Sequence, residues 1–265
     1  MRSYLARVFG ETYIIKGTNA AFVKSIGALI VGDMHIGIEG KYEKMGVHFR
    51  HASTLNAQSI SKTCDMVGAG KVIFLGDVKN AIGFPDTAEL GALKDFFSSL
   101  DRREIIIAKG NHDGHLEDVL DRMGVSAKIE REVLLGDFAF MHGNGIPSQK
   151  ALSKKYLFSA HGHFAIRREG GLDKVFISCK RAKQSSGSGK YLGRGDMSAK
   201  MLMLPAFNRL IYGTEITRLT INAMPIFRNR IFDFDSATVL DFAGRKIGNA
   251  KDIAFAQESI RSNMI

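Results

Sequence analysis

Ala28-Leu29-Ile30-Val31-Gly32-Asp33-Met34-His35 runs four apolar residues into a glycine, a carboxylate and, two places on, an imidazole. The same phrase recurs twice downstream. Val72-Ile73-Phe74-Leu75 leads into Gly76-Asp77, and Ile105-Ile106-Ile107-Ala108 leads through Lys109 into Gly110-Asn111-His112-Asp113. A short apolar run closed by glycine and a polar residue reads as a fully buried strand followed by a loop. Helical patterns lie between the runs. Residues 51–67 carry Leu55, Ile60 and Met66 at helical spacing, and residues 88–100 follow Pro85 with Asp86 or Thr87 as N-cap. Strand–helix–strand alternation predicts parallel strands joined by crossover helices, so the polar ends of all three strands gather at one sheet edge. Ligands of open α/β sheets collect at that edge.

The second half changes character. Glu132–Leu135, Phe138–Met141, 175–178 and 201–204 are short strands between glycine turns, which predicts a second, more antiparallel sheet. Strand-like pieces at 216–221 and 239–242 are expected to complete it. Two of the runs again end on histidine: Phe138–Met141 on His142-Gly143-Asn144, and 156–160 on His161-Gly162-His163. Extended backbone would put His161 and His163 on one face. Of the 8 histidines, five stand at predicted strand ends: His35, His112, His142, His161 and His163. Taken singly, each piece has an ordinary explanation in a turn-forming Asp or Asn or a packed imidazole. The ordered set points instead to a metal site. Mixed imidazole and carboxylate or amide oxygen donors suit Mn²⁺, Fe or Zn²⁺ rather than Ca²⁺.

Composition sets the frame. A chain of 265 residues with 45% hydrophobic and 24% charged residues suits one α/β domain over 1–265 with a sizeable core. Only 4 prolines and no acidic tract argue against long disordered regions. No apolar run approaches the roughly 18–20 residues that span a bilayer. The opening MRSYLARVFGETY interrupts its apolar residues with charge too early for a secretory leader. Membrane and secreted classes are therefore excluded, and a cytoplasmic protein is expected. Cys64 and Cys179 have no paired spacing and read as buried thiols in a reducing compartment. The formal charge of +10 is the footprint of a nucleic-acid partner. The small, polar and basic segment 180–190 predicts a mobile surface loop near 181–199 that could meet a phosphate backbone.

Taken together, Asp33-Met34-His35, Gly76-Asp77, Gly110-Asn111-His112-Asp113, His142 and Ala160-His161-Gly162-His163 resemble the ordered motifs of the calcineurin-like metallophosphoesterase superfamily. The wording GDMHIGIE (32–39), GDVKN (76–80), GNHDG (110–114) and LPAFNRLIYG (204–213) is most similar to its SbcD-related branch, which has archaeal and DNA-ligase-associated bacterial members. The resemblance runs from about residue 28 to about residue 213. It implies a four-layer α/β/β/α sandwich with mixed sheets and two divalent metal ions, Mn²⁺ foremost and Fe or Zn²⁺ as alternatives. On that pattern Asp33, His35, Asp77 and His163 would hold the first metal. Asp77, Asn111, His142 and His161 would hold the second, with Asp77 bridging. A shared carboxylate lets the ions sit about 3.5–4 Å apart, where a bridging hydroxide can attack a phosphodiester. His112 would stabilise developing charge or protonate the leaving alkoxide, with Asp113 either orienting it or forming a turn. The branch implies a DNA-repair setting and a helicase or ligase as partner.

Three positions depart from the pattern. Ala160 replaces a glycine, Phe164 stands where the branch commonly has proline, and Asn80 replaces a histidine that positions the catalytic histidine in repair nucleases. Asparagine does not titrate near neutral pH, so Asn80 counts against nuclease activity while leaving phosphodiester chemistry open. Hydrolysis of nucleic-acid phosphodiesters is the leading expectation. A phosphodiesterase or phosphomonoesterase of cyclic or other nucleotides is the alternative, and a non-catalytic interaction subunit is disfavoured by the complete ligand set.

Overall fold

The three apolar runs lie side by side and parallel, Leu29 opposite Val72 and Val72 opposite Ile105, in a computed structural model that describes residues 3–49, 51–100, 103–182 and 195–262. They are the centre of a seven-stranded sheet whose order follows the chain: β1 (Leu5–Phe9), β2 (Thr12–Ile15), β3 (Ala21–Val23), β4 (Ala28–Val31), β5 (Lys71–Phe74), β6 (Glu104–Ala108) and β7 (Lys128–Glu130). β4 to β7 pair in parallel, as expected. β1 to β4 form an antiparallel meander that the sequence reading did not foresee. The crossovers carry α1 (Glu39–Glu43), α2 (Ala52–Val67), α3 (Thr87–Ser99) and α4 (Leu116–Arg122). Asp86 caps α3, its carboxylate accepting the Glu89 amide at 2.9 Å. Of the three apolar positions expected on helix α2, only Ile60 is buried. Ala57, Ile60 and Cys64 face the sheet while Leu55 and Met66 are exposed.

The second seven-stranded sheet has the order β17-β16-β13-β14-β10-β9-β8. Its strands are β8 (Glu132–Leu135), β9 (Phe138–Met141), β10 (Tyr156–Ser159), β13 (Phe176–Lys180), β14 (Lys200–Met203), β16 (Thr238–Leu240) and β17 (Lys246–Asn249). It is mixed: β9, β10 and β14 run parallel, and the remaining pairs are antiparallel. A three-stranded sheet joins β11 (Phe164–Arg168), β12 (Gly171–Lys174) and β15 (Thr214–Glu215). The helices of this half are α5 (Gln149–Leu152), α6 (Arg218–Ala223), α7 (Pro225–Arg228) and α8 (Ala250–Ser262). Residues 239–242 do add to the second sheet through β16, but 216–221 do not form a strand there. Thr217 and Thr220 cap each other reciprocally, backbone amide to side-chain oxygen, at 3.2 and 2.9 Å, and this starts α6 despite the β-branched residues around it. The basic segment expected near 181–199 falls largely on 183–194, outside the described residues; of its described flanks Arg181, Ala182 and Ala199 are buried, and Gly195, Met197 and Ser198 are exposed.

The alternation of side chains along each strand explains the layering. Leu29, Val72 and Ile105 meet helices α2 to α4 on the outer face of the first sheet. Ile30, Ile73 and Ile106 point the other way, against Phe138, Phe140, Phe158 and Phe176 of the second sheet. The far face of the second sheet packs Ile177, Met201 and Met203 against α6, α7 and α8. The order is helices, sheet, sheet, helices: a mixed α/β fold in four layers. Among the described residues no helix is long and apolar enough to cross a membrane. Phe158, fully buried and stacked on Phe140 at 5.0 Å, sits where the two sheets meet. Phe158→Ala is expected to cost roughly 3–5 kcal/mol in urea denaturation, whereas Leu219→Ala, exposed on α6, stays within about 0.5 kcal/mol.

Candidate metal centre

Each expected ligand follows a strand of the parallel core of one of the two sheets: β4, β5 and β6 in the first, β9 and β10 in the second. The loops are then tied to one another by backbone. The Asp33 amide donates to Gly76 O at 3.2 Å, and His35 and Ile36 donate to Asp77 O and Val78 O at 2.8 Å each. The approach of the β5 and β6 loops leaves no room for a side chain at Gly110, where a Cβ would lie 2.2 Å from Asp77 Oδ1. Asp33 crosses between the sheets by accepting the His161 amide at 3.1 Å. The turns are held in unusual conformations. Of the eight described non-glycine residues with positive φ, five are Asp33, His35, Asp77, His161 and His163. Strain of this kind persists only where surrounding contacts over-determine it, and it concentrates at functional sites.

The side chains converge. Possible metal-binding groups are Asp33–His35–His163, His35–Asp77–His112 and Asp77–His142–His161, each with its ligand atoms within 4.8 Å of one another. Asp77 Oδ2 lies 3.3 Å from His142 Nε2 and 3.6 Å from His35 Nε2, and Asp33 Oδ1 lies 3.1 Å from His163 Nε2. His142 Nδ1 donates to the Leu75 carbonyl at 2.7 Å. That hydrogen bond keeps a proton on Nδ1 and turns Nε2 toward Asp77, so that Nε2 is the atom a metal ion would take once the ring is neutral. Nε2 of His142 and Nδ1 of His161 lie 2.9 Å apart, two nitrogens directed at one point. Asn111 is exposed at the rim, next to Gly110.

The electrostatics call for cations. Asp33 and Asp77 are buried, and among the described residues neither pairs with a lysine or arginine. Burial alone would raise the Asp33 carboxyl, but His163 and His142 outweigh it and hold it below the usual carboxylate range. Burial is likewise overcome at Asp77 by the hydrogen bond and charge of His142, and its carboxyl is also lowered. His142 resists its own burial because Asp77 and Asp33 face it, and it is raised to about 9. Burial pushes His35 and His161 down to about 4, with His142 adding to the shift at His161. Asp33 Oδ1, His35 Nε2 and His163 Nε2 are buried without a hydrogen-bond partner. Uncompensated carboxylates beside bare imidazole nitrogens are a donor set that divalent cations satisfy.

Of the two roles expected for Asp113, orienting His112 or forming a turn, its contacts are those of the second. Its carboxylate is fully buried and spent on backbone: Oδ1 accepts Val78 N at 2.8 Å and Lys79 N at 3.4 Å, and Oδ2 accepts Gly110 N at 2.8 Å. It brackets the β5 and β6 loops. The group that orients His112 is the Asn80 main-chain carbonyl, which accepts from Nδ1. The other departures are absorbed locally. Ala160 is buried, and its methyl lies where a side chain at position 32 would project, 2.7 Å from a Cβ placed on Gly32. The Phe164 ring lies against Gly162, between the two histidines of that turn. Sequence reading gave no role to Asn208, which is buried and donates from Nδ2 to Met34 O at 2.7 Å, clamping the Asp33–His35 turn. The segment LPAFNRLIYG was singled out for its wording alone, and only the fold shows what its asparagine touches.

The calcineurin-like phosphoesterase family profile matches residues 28–195. Nuclease MPE from Pseudomonas putida is structurally similar, with a TM-score of 0.59 and 18% identity over 91% of this chain and 97% of that chain. Yfce, a phosphoesterase from E. coli, has a TM-score of 0.35 and 14% identity over 83% of this chain and 96% of that chain. At 18% identity the likeness to nuclease MPE speaks for the fold alone. No curated protein sequence matches the chain significantly.

Two outcomes follow from this geometry. Protein loaded with Mn²⁺ and freed of excess is expected to retain about two ions per chain by elemental analysis. Asp77→Ala, which removes the carboxylate shared by two of the clusters, should lose most of both. The second concerns Lys174, whose ammonium donates to Ala206 O and Asn208 O at 3.0 and 2.6 Å. Burial pushes it from 10.5 down to about 8 against the pull of Asp33. Through the window from about 8 to 10.5 the unfolded chain keeps a proton that the folded chain sheds. Metal-free wild type should therefore gain stability relative to Lys174→Met as pH rises through that window, and none below it, in urea denaturation.

Proposed function

The chain belongs to the calcineurin-like phosphoesterase family, whose members are metal-dependent hydrolases of phosphate esters, and we propose that it cleaves phosphodiesters with nucleic acid as its substrate class. One observation carries the reading: two buried carboxylates and five imidazoles from both sheets converge with their ligand atoms unpaired by any lysine or arginine among the described residues. Asp33, His35, Asp77 and His163 would hold one divalent ion, and Asp77, Asn111, His142 and His161 the other. Their mixed nitrogen and oxygen donors favour Mn²⁺, with Fe or Zn²⁺ as alternatives. When bound, such a pair supplies Lewis-acid charge at the phosphate and activates water at neutral pH.

The chain's own contribution centres on His112. Its side chain is 25% exposed, so it can reach a bound phosphate. With Nδ1 donating to the Asn80 carbonyl, Nε2 is left to take up a second proton, and the resulting imidazolium would donate from Nε2 to the developing charge or protonate the leaving oxygen. The loss of a histidine side chain at position 80 therefore leaves His112 oriented, which supports diester cleavage despite that departure. Substrate class is supported by the +10 charge and by a cavity of about 770 Å³ lined by Lys174, Asn208, Arg209, Phe207 and Phe242. Cations and phenyl rings together suit phosphate and base. Asn208 links this cavity to the Asp33–His35 turn. The wording of the motifs supports an SbcD-related, DNA-repair role with a helicase or ligase partner, and the buried cysteines Cys64 and Cys179, which form no disulfide, support a reducing cytoplasmic setting.

Metal-stripped protein resupplied with Mn²⁺ is expected to hydrolyse bis-p-nitrophenyl phosphate in preference to p-nitrophenyl phosphate, with kcat falling roughly 10²–10⁴-fold in His112→Ala. Preference for the monoester would replace this reading with a phosphatase. Affinity for single-stranded DNA should fall steeply with added salt; a flat salt dependence, with a higher kcat/KM for a cyclic nucleotide, would move the substrate to small molecules.

A further inference from the structure

Lys79 is an anomaly. It follows Asp77 by two residues and is fully buried, a state in which lysine is almost never found unless it is paired. It forms no ion pair among the described residues. Its Nζ instead donates to three carbonyls of the loop that follows it: Ala81 O, Gly83 O at 2.7 Å and Ile82 O at 3.5 Å. Three carbonyl dipoles turned toward one point repel one another unless a cation stands between them. The ammonium lets the chain wrap around it.

The carbonyl of Asn80, adjacent to Lys79, is left out of this ring and accepts from His112 Nδ1. The rest of the loop is pinned to suit. Asp113 Oδ1 takes the amides of Val78 and Lys79. Glu89 Oε1 takes those of Asn80 and Ala81 at 2.8 Å each, and Asn80 N also reaches Ile36 O at 3.1 Å. Outside the loop, Ile82 O lies 2.7 Å from where a Cβ on Gly114 would stand, so the loop also rests on the turn after His112. A carbonyl oxygen can only accept, so the contact with Asn80 requires the proton of neutral His112 to be on Nδ1. The geometry points to Lys79 as the positioning residue of His112: by gathering the carbonyls of residues 81–83 it holds the Asn80 carbonyl where it fixes the imidazole tautomer and aim. This deepens the proposed phosphoesterase reading and rests on it for the role of His112.

The test reads the tautomer directly. Nitrogen-15 NMR of the histidine rings in Zn²⁺-loaded full-length protein, with His112 assigned by its loss in His112→Ala, should show wild-type His112 in the Nδ1–H form. In Lys79→Met, which keeps the bulk and removes the donors, His112 should shift toward the Nε2–H form. In the same variant kcat for bis-p-nitrophenyl phosphate should fall about 10–100-fold, with KM and metal content unchanged. Lys79→Gln keeps two donors and should lie between. A wild-type Nε2–H tautomer overturns the proposal, whether or not the variants fold. So does a folded Lys79→Met that retains the Nδ1–H form or full kcat. If wild type shows no turnover of any phosphate ester while the tautomer still depends on Lys79, the positioning stands and the phosphoesterase reading of the site falls.

Discussion

Two carboxylates buried together, with no lysine or arginine among the described residues in an ion pair with either, are the constraint on which this molecule is arranged. Burying an anion is costly unless an opposite charge or several donors surround it. Here the surroundings are imidazoles and backbone amides: His35, His142 and His163 near the oxygens, and the His112 and His161 amides donating to Asp77 Oδ1 and Asp33 Oδ2 at 2.8 and 3.1 Å. In the metal-free chain the field of the two carboxylates is strong enough to hold a proton on His142 that burial would otherwise expel. A divalent ion does the same task better, because it brings more charge and binds the bare nitrogens as well. Metal binding and the ordering of this edge are thus one physical problem.

The solution uses buried polar side chains as brackets for backbone. Asp113, Glu89, Asn208 and Lys79 all sit beneath the metal-binding turns, and each spends its hydrogen bonds on main-chain groups of neighbouring loops. Such brackets let Asp33, His35, Asp77, His161 and His163 keep left-handed conformations that cost energy in isolation. The sandwich behind them supplies the rigidity. Phenylalanines of the second sheet interlock with isoleucines of the first, so the ends of β4, β5, β6, β9 and β10 are held at fixed separation.

How legible this was depends on where the information resides. The central strands could be read because continuous apolar runs broken by glycine have few other solutions. The convergence of Asp33, Asp77 and the five histidines could be read because these residues sit at the ends of those runs. The meander β1 to β3 escaped notice because its exposed strand β1 alternates imperfectly and its polar residues dilute the pattern. Leu55 and Met66 misled because a surface helix can leave large apolar residues outside. Residues 216–221 read as strand by composition, yet a reciprocal threonine cap starts a helix at Arg218.

The sequence by itself determined the α/β character, the order of the metal-binding turns and the identity of the side chains that meet there, since all three follow from local patterning. Tertiary structure alone decided that Asp113 braces loops rather than His112, that Lys79 is buried among carbonyls, and that the Asn80 backbone rather than its side chain holds the imidazole. The physical reason is that every residue carries the same amide and carbonyl. A contact made through backbone leaves no mark on the residue type, and only the folded path of the chain shows which carbonyl meets which donor.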